Sequence, residues 1–135
     1  WSSSALDRDQ AGWDWFALQF EDGRDLMFYR LRRSDDTADP FSAGTLVGPD
    51  GTVRRLGAED VSLDVLRRWR SSNGASYPVA WRLGLADGSS FRVEAEFDDQ
   101  RMETAVAYWE GMVVVFDAVS GEPRGRGYLE LAGYE

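Results

Sequence analysis

Apolar and polar positions alternate with period two along most of this chain, and almost nowhere with the 3.6-residue period of an amphipathic helix. The cleanest alternation sets Val79, Trp81, Leu83 and Leu85 against Ala80, Arg82 and Gly84. It continues as Phe91, Val93, Ala95 and Phe97 against Arg92, Glu94 and Glu96, after the turn Ala86-Asp87-Gly88-Ser89. One face in and one face wet is the signature of a half-buried antiparallel strand. Residues 12–20, GWDWFALQF, predict a strand apolar on both faces: Trp13, Trp15 and Ala17 on one, Asp14, Phe16, Leu18 and Phe20 on the other. Asp22-Gly23 is a hairpin signal, so residues 25–33 return antiparallel. Residues 41–47 and 52–56 pair across Gly48-Pro49-Asp50-Gly51, and residues 57–60 suit a helical turn. Residues 61–70 place Val61, Val65 and Trp69 at helical spacing, yet Leu63 and Val65 suit a strand; a strand is the reading taken, because every clearer element is one. The last third, residues 108–134, holds two apolar runs joined by SGEPRGRG, a long hairpin whose glycines and proline suit the joint. Residues 1–10 read as a polar arm and 98–104 as a polar crossing. Eight to ten or so antiparallel strands in one unit mean an all-β barrel or sandwich.

Composition narrows the chemistry. A chain of 135 residues suits one domain, and 43% hydrophobic content with 13% aromatic content excludes disorder and points to a core rich in rings. The net charge of −9, from 24 acidic against 15 basic residues, argues against nucleic acid and anionic membranes. All basic residues are Arg, so Schiff-base lysine chemistry is excluded. Histidine and cysteine are absent, which removes Ser-His-Asp and Cys-His catalysis, disulfides and nearly every zinc site. No cofactor and no metal site is implied, though oxygen ligands alone leave a metal open. No apolar run reaches the ~18 residues of a membrane span. Cytoplasmic residence and secretion from a longer precursor both fit.

Several motifs in order resemble one family: Trp1-Ser2-Ser3, GWDWFAL at 12–18, DGRDLMFYRLR at 22–32, YPVAWRL at 77–83, YWEG at 108–111 and GRGYLEL-GY at 125–134. The chain is similar to the lipocalin-like family of carotenoid 1,2-hydratase (CrtC) and the AttH-type proteins. Members have two consecutive barrels, and these motifs match the second. The resemblance therefore implies a lipocalin-like, calycin-type antiparallel β-barrel over residues 1–135, the C-terminal half of a two-barrel protein. It also implies an apolar cavity for a hydrophobic small molecule, and a preceding N-terminal barrel as partner. In the hydratases the active groups include a His and a Trp near the start of this half, then a Tyr and an Asp on the strand after the first turn. Trp1 matches that Trp and Tyr29 the Tyr; the His would lie before Trp1, and Leu31 stands in the place of the Asp. Related architecture also serves cyclases that shape polyenes.

The candidate site follows from where carboxylates meet rings. Glu110 and Glu130 sit mid-strand, Glu110 on a face with Tyr108, Met112, Val114 and Phe116, and Glu130 with Tyr128, Ala132 and Tyr134. Two readings stand. If these faces point into a barrel, the carboxylates need an Arg, a Tyr hydroxyl or a proton, and Glu110 with Tyr29 or Tyr128 forms a general-acid site. If they face water, the opposite faces are core. Trp1, Trp13, Trp15, Trp81 and Trp109, with Tyr128 and Glu130, are candidate ligand-lining residues; for the tryptophans the alternative is plain barrel core. Asp14 reads as an outward residue or a partner for an Arg. The pairs Arg32-Arg33, Arg54-Arg55 and Arg67-Arg68 read as solvated. Three functions are compatible: a binding module for a terpenoid, lipid or polyketide; a cofactor-free hydratase, cyclase or isomerase; and a structural half without a site of its own.

Overall fold

A computed structural model of the chain describes residues 10–35, 37, 39–72, 74–102 and 108–134; the N-terminal arm and Trp1 lie outside them. Ten strands are described: β1 (Gln10–Phe20), β2 (Asp25–Arg33), β3 (Ala43–Val47), β4 (Val53–Gly57), β5 (Val61–Arg70), β6 (Ser76–Leu85), β7 (Ser90–Ala95), β8 (Arg101–Met102), β9 (Tyr108–Asp117) and β10 (Pro123–Ala132). All pair antiparallel in one sheet, in the order β4-β3-β2-β1-β10-β9-β7-β6-β5, with β8 added to β9. The stretch of ambiguous period is strand β5, and residues 58–60 form the expected helical turn, a single turn of 3-10 helix.

The first and last strands pair centrally, Trp13 with Ala132 through Phe20 with Gly125. The sheet curls around the side chains of one face. Phe16, Leu18, Leu26, Phe28, Val79, Trp81, Leu83, Val93, Trp109, Val113, Leu129 and Leu131 fill that interior. Phe16 meets Trp81 edge-on at 5.3 Å between ring centres, the offset geometry that ring quadrupoles favour. Rows of alternate residues thus read correctly as core on β6 and β7, except that Phe97 beyond β7 is exposed. Among the described residues no ladder joins β4 to β5, so the barrel has a seam, bridged by the 3-10 turn.

Gly127 lies on β10 directly across from Leu18, and a Cβ there would collide with the carbonyl oxygen of Ala17. At the centre of the core, Leu129→Ala removes a fully enclosed side chain and should destabilise the domain by about 2–5 kcal/mol. Leu66→Ala, at an exposed position of β5, should stay within about 0.5 kcal/mol. Paired denaturant titrations measure both.

Candidate functional site

The outward faces of β2, β1, β10 and β9 line up by register. One cross-strand row runs Tyr29, Trp15, Glu130, Glu110; the next runs Met27, Ala17, Tyr128, Met112. Of the site residues read from the sequence, Tyr29, Trp15, Glu130, Glu110 and Tyr128 therefore share a face, but it is the outer one. Glu110 and Glu130 do not point into the barrel; the faces opposite them, bearing Trp109 and Leu131, are the core. Physically, those faces carry uninterrupted apolar groups, and a carboxylate row is cheaper to leave near water.

Beside these rows lies a groove of about 710 Å³, floored by Trp15, Ala17, Met27, Met112 and Tyr128 and edged by Asp25, Glu96 and Arg126. Its walls are open: Met27 is 41% exposed, Met112 42% and Tyr128 53%. Glu110 and Glu130 are direct cross-strand neighbours at the end of the groove, joined to it through Trp15. Burial pushes the Glu130 carboxyl above its ordinary value; the Trp13 indole opposes this, donating Nε1–H to Oε1 at 3.3 Å, and the charge of Glu110 adds to the rise. Tyr29 is two strands from Glu130, about 10 Å at ordinary strand spacing, and three from Glu110. The pair Glu110 and Tyr29 is thus not brought together; Glu110 and Glu130 are. Tyr128 stands diagonal to Glu110 through Met112.

The tryptophans divide. Trp81 and Trp109 are enclosed in the core, each donating its indole N–H to a backbone carbonyl, of Pro78 at 2.8 Å and Asp98 at 2.7 Å. Trp13 is buried against Glu130, and Trp15 alone of the four lines the groove.

Sequence reasoning missed a second cluster, inside the barrel. Asp14 is 0% exposed. Arg30 donates Nε–H to its Oδ2 at 3.0 Å, with Nη2 at 2.9 Å. Arg32 Nε sits 3.4 Å from the same oxygen, and Arg32 Nη2 donates to the carbonyl of Ala132. The Tyr134 hydroxyl donates to Asp14 Oδ1. Arg30 also lies over the Trp81 ring at 5.1 Å, and Arg32 over Tyr134 at 3.7 Å. Asp14 is therefore the arginine partner of the two readings, and Arg32 is buried rather than solvated. Burial pushes the Asp14 carboxyl up, against the pull of Arg32, Arg30 and the Tyr134 hydroxyl. Burial first, and then the Asp14 charge, drive the Tyr134 hydroxyl up as well, which keeps it a donor. The available signal was period two: Asp14 continues the core face of Phe16 and Leu18, and Arg30 and Arg32 continue that of Leu26 and Phe28.

Among the described residues no three His, Cys, Asp or Glu side chains cluster as metal ligands, and no helix is long and apolar enough to cross a membrane. Comparison with known proteins settles the family, since the AttH-like family matches residues 1–134. The chain belongs to the AttH-like family. A solved AttH protein of Nitrosomonas europaea is 36% identical over 100% of this AttH-like chain, with a TM-score of 0.87. Kievitone hydratase of Nectria haematococca superposes over 98% of the chain with a TM-score of 0.75 at 19% identity, a likeness of fold. The AttH-like chain spans 42% of the length of either neighbour. No curated protein matches it.

Two expectations follow. Asp14→Asn leaves the buried Arg32 and the part-buried Arg30 without their counter-charge and should cost about 3–5 kcal/mol in thermal or denaturant unfolding. Because the folded Glu130 carboxyl lies above its unfolded value of 4.5, its contribution is fully present below that value and is lost as pH rises through the folded one. Glu130→Gln should therefore gain stability relative to the native chain on going from acidic to neutral pH, in melts recorded across that range.

Proposed function

We propose that this domain holds a hydrophobic small molecule in the outer-face groove. The observation that carries this is the groove itself, whose apolar lining of Trp15, Ala17, Met27, Met112 and Tyr128 is accompanied by the polar Gln19, Asp25, Thr45, Glu96 and Arg126. Its volume falls within the range of about 300–1,000 Å³ typical of small-molecule sites. Aromatic and methionine side chains suit a flat or extended apolar ligand such as a terpenoid, polyketide or lipid, since thioethers adapt to irregular shapes. The open side of the groove is where a further barrel of a longer chain would pack, in keeping with neighbours more than twice as long.

A second reading adds chemistry to the same site. Glu130, half-buried and raised toward its acid form beside Glu110, is placed to give a proton to a ligand lying over Trp15. Protonation of an alkene carbon by Glu130, followed by water attack on the cation, would be hydration; the water's proton returns the carboxylate to the acid. Tyr29, at the far end of the same row, would hold a ligand oxygen.

The test is fluorescence titration with polyenes, terpenoids and fatty alcohols. Saturable quenching is expected, weakened at least tenfold by Met112→Glu, which sets a carboxylate on the apolar floor. A flat response across the panel overturns the binding reading. Deuterium incorporation at an alkene carbon in heavy water, lost in Glu130→Gln while quenching persists, separates catalysis from binding.

A further inference from the structure

The seam of the barrel holds a second cavity, remote from the outer groove. It has a volume of about 150 Å³ and lies between β2, the 3-10 turn and β5, lined by Phe28, Arg30, Ser42, Ala58, Val61 and Leu63. Five of its six walls are apolar side chains or the serine hydroxyl, and the sixth is a guanidinium.

Among the described residues the charges around that guanidinium do not balance. Among the described residues the ion pairs of Arg30 and Arg32 both end on one carboxylate, Asp14. Two cations thus share one anion at a place nearly closed to water, which leaves a positive surplus within a chain whose total charge is −9. Desolvated surplus charge of this kind is unfavourable until a counter-charge reaches it. Arg30 is also the member of the cluster that can receive one. Its Nε and Nη2 engage Asp14 Oδ2, its side chain keeps 22% exposure, and Nη1 has no acceptor among the described residues. The Trp81 ring beneath it fixes the plane of the guanidinium. Ser42, itself buried, accepts the Leu31 backbone N–H at 3.0 Å, which leaves its own O–H proton to donate. Both donors border the same space.

From these features we infer that the seam cavity is a carboxylate site, taking the head of a short aliphatic monocarboxylic acid. The carboxylate would accept from Arg30 Nη1 and the Ser42 hydroxyl, and the tail would lie on Phe28, Val61 and Leu63. At about 30 Å³ for each water volume, the space holds a head group and a tail of a few carbons; a longer tail leaves through the unpaired seam between β4 and β5. A neutral alcohol of the same length gains the apolar contacts without meeting the surplus charge, so the site should discriminate strongly between the two.

The experiment titrates the isotope-labelled 135-residue chain with sodium hexanoate and, separately, with 1-hexanol. Amide and arginine Nε–H resonances are followed by nuclear magnetic resonance. Hexanoate should shift Arg30 Nε–H and the Ser42 and Val61 amides saturably, and hexanol should bind at least tenfold more weakly. Ala58→Leu fills the cavity from the 3-10 turn while Arg30 itself is retained, and should weaken hexanoate at least tenfold while the spectrum stays dispersed. Met112→Glu, in the outer groove, should leave hexanoate binding within twofold. Equal responses to acid and alcohol, shifts confined to Met112 and Tyr128, no saturable shift, or undiminished binding in Ala58→Leu would each overturn the proposal. Should Ala58→Leu fail to fold, the acid-against-alcohol comparison on the native chain decides alone. Loss of the seam site would leave the outer-groove reading standing, because that reading is tested by Met112→Glu.

Discussion

A carboxylate shut away from water has to be held by cations and hydroxyls, and in this domain Asp14 imposes that condition on three separate parts of the chain. It sits on β1, draws Arg30 and Arg32 from β2, and takes the hydroxyl of Tyr134 from just beyond β10. Arg32 then reaches the backbone carbonyl of Ala132, so the same cluster secures the pairing of first and last strands. A buried ion cluster contributes little net stability compared with apolar packing, but removing one member is severe. Its effect is on specificity: the register of β1 against β2 and β10 is the one that lets all four groups meet. A slip of one residue would carry Asp14 to the outer face and Trp13 into the core.

That register also makes the outer surface what it is. Because Phe16, Leu129 and Trp109 are fixed inward, Trp15, Glu130 and Glu110 are fixed outward in one row, with the apolar groove alongside. Interior and exterior sites are thus two faces of one strand alignment. The interior side chains are largely enclosed, and the small seam cavity lies beside β5, which does not pair with β4 among the described residues.

Much of this was legible beforehand, and the reasons for the remainder are specific. The alternation of Val79, Trp81 and Leu83 identified a core face because its opposite positions are polar, small or glycine. β1 offered no such contrast: both its faces are apolar, so Asp14, between two tryptophans, read equally as an outward group or as a partner for an Arg. Only the neighbouring strand resolves it, since Arg30 faces Asp14 across the ladder. The two glutamates posed the same problem in reverse. Each could be placed on a face, but that Glu110 meets Glu130 depends on how the joint turns, including the irregularity between Pro123 and Gly125. Tyr29 fell on the same face as the glutamates, yet strand order, which places β1 between it and Glu130 and both β1 and β10 between it and Glu110, is a long-range property that no local pattern encodes.

The seam between β4 and β5 has a consequence for how the domain behaves among its copies. An unpaired strand offers its backbone donors and acceptors to any other chain, which is how native sheets begin to grow into aggregates. Here Arg54 and Arg55 stand exposed on β4, and Arg68 and Arg70 on β5, while Arg67 is paired with Asp98. Two copies docking edge to edge would press guanidinium rows of like charge together. The arginines that look superfluous in an acidic protein thereby act as guards, keeping an open barrel from recruiting its neighbours.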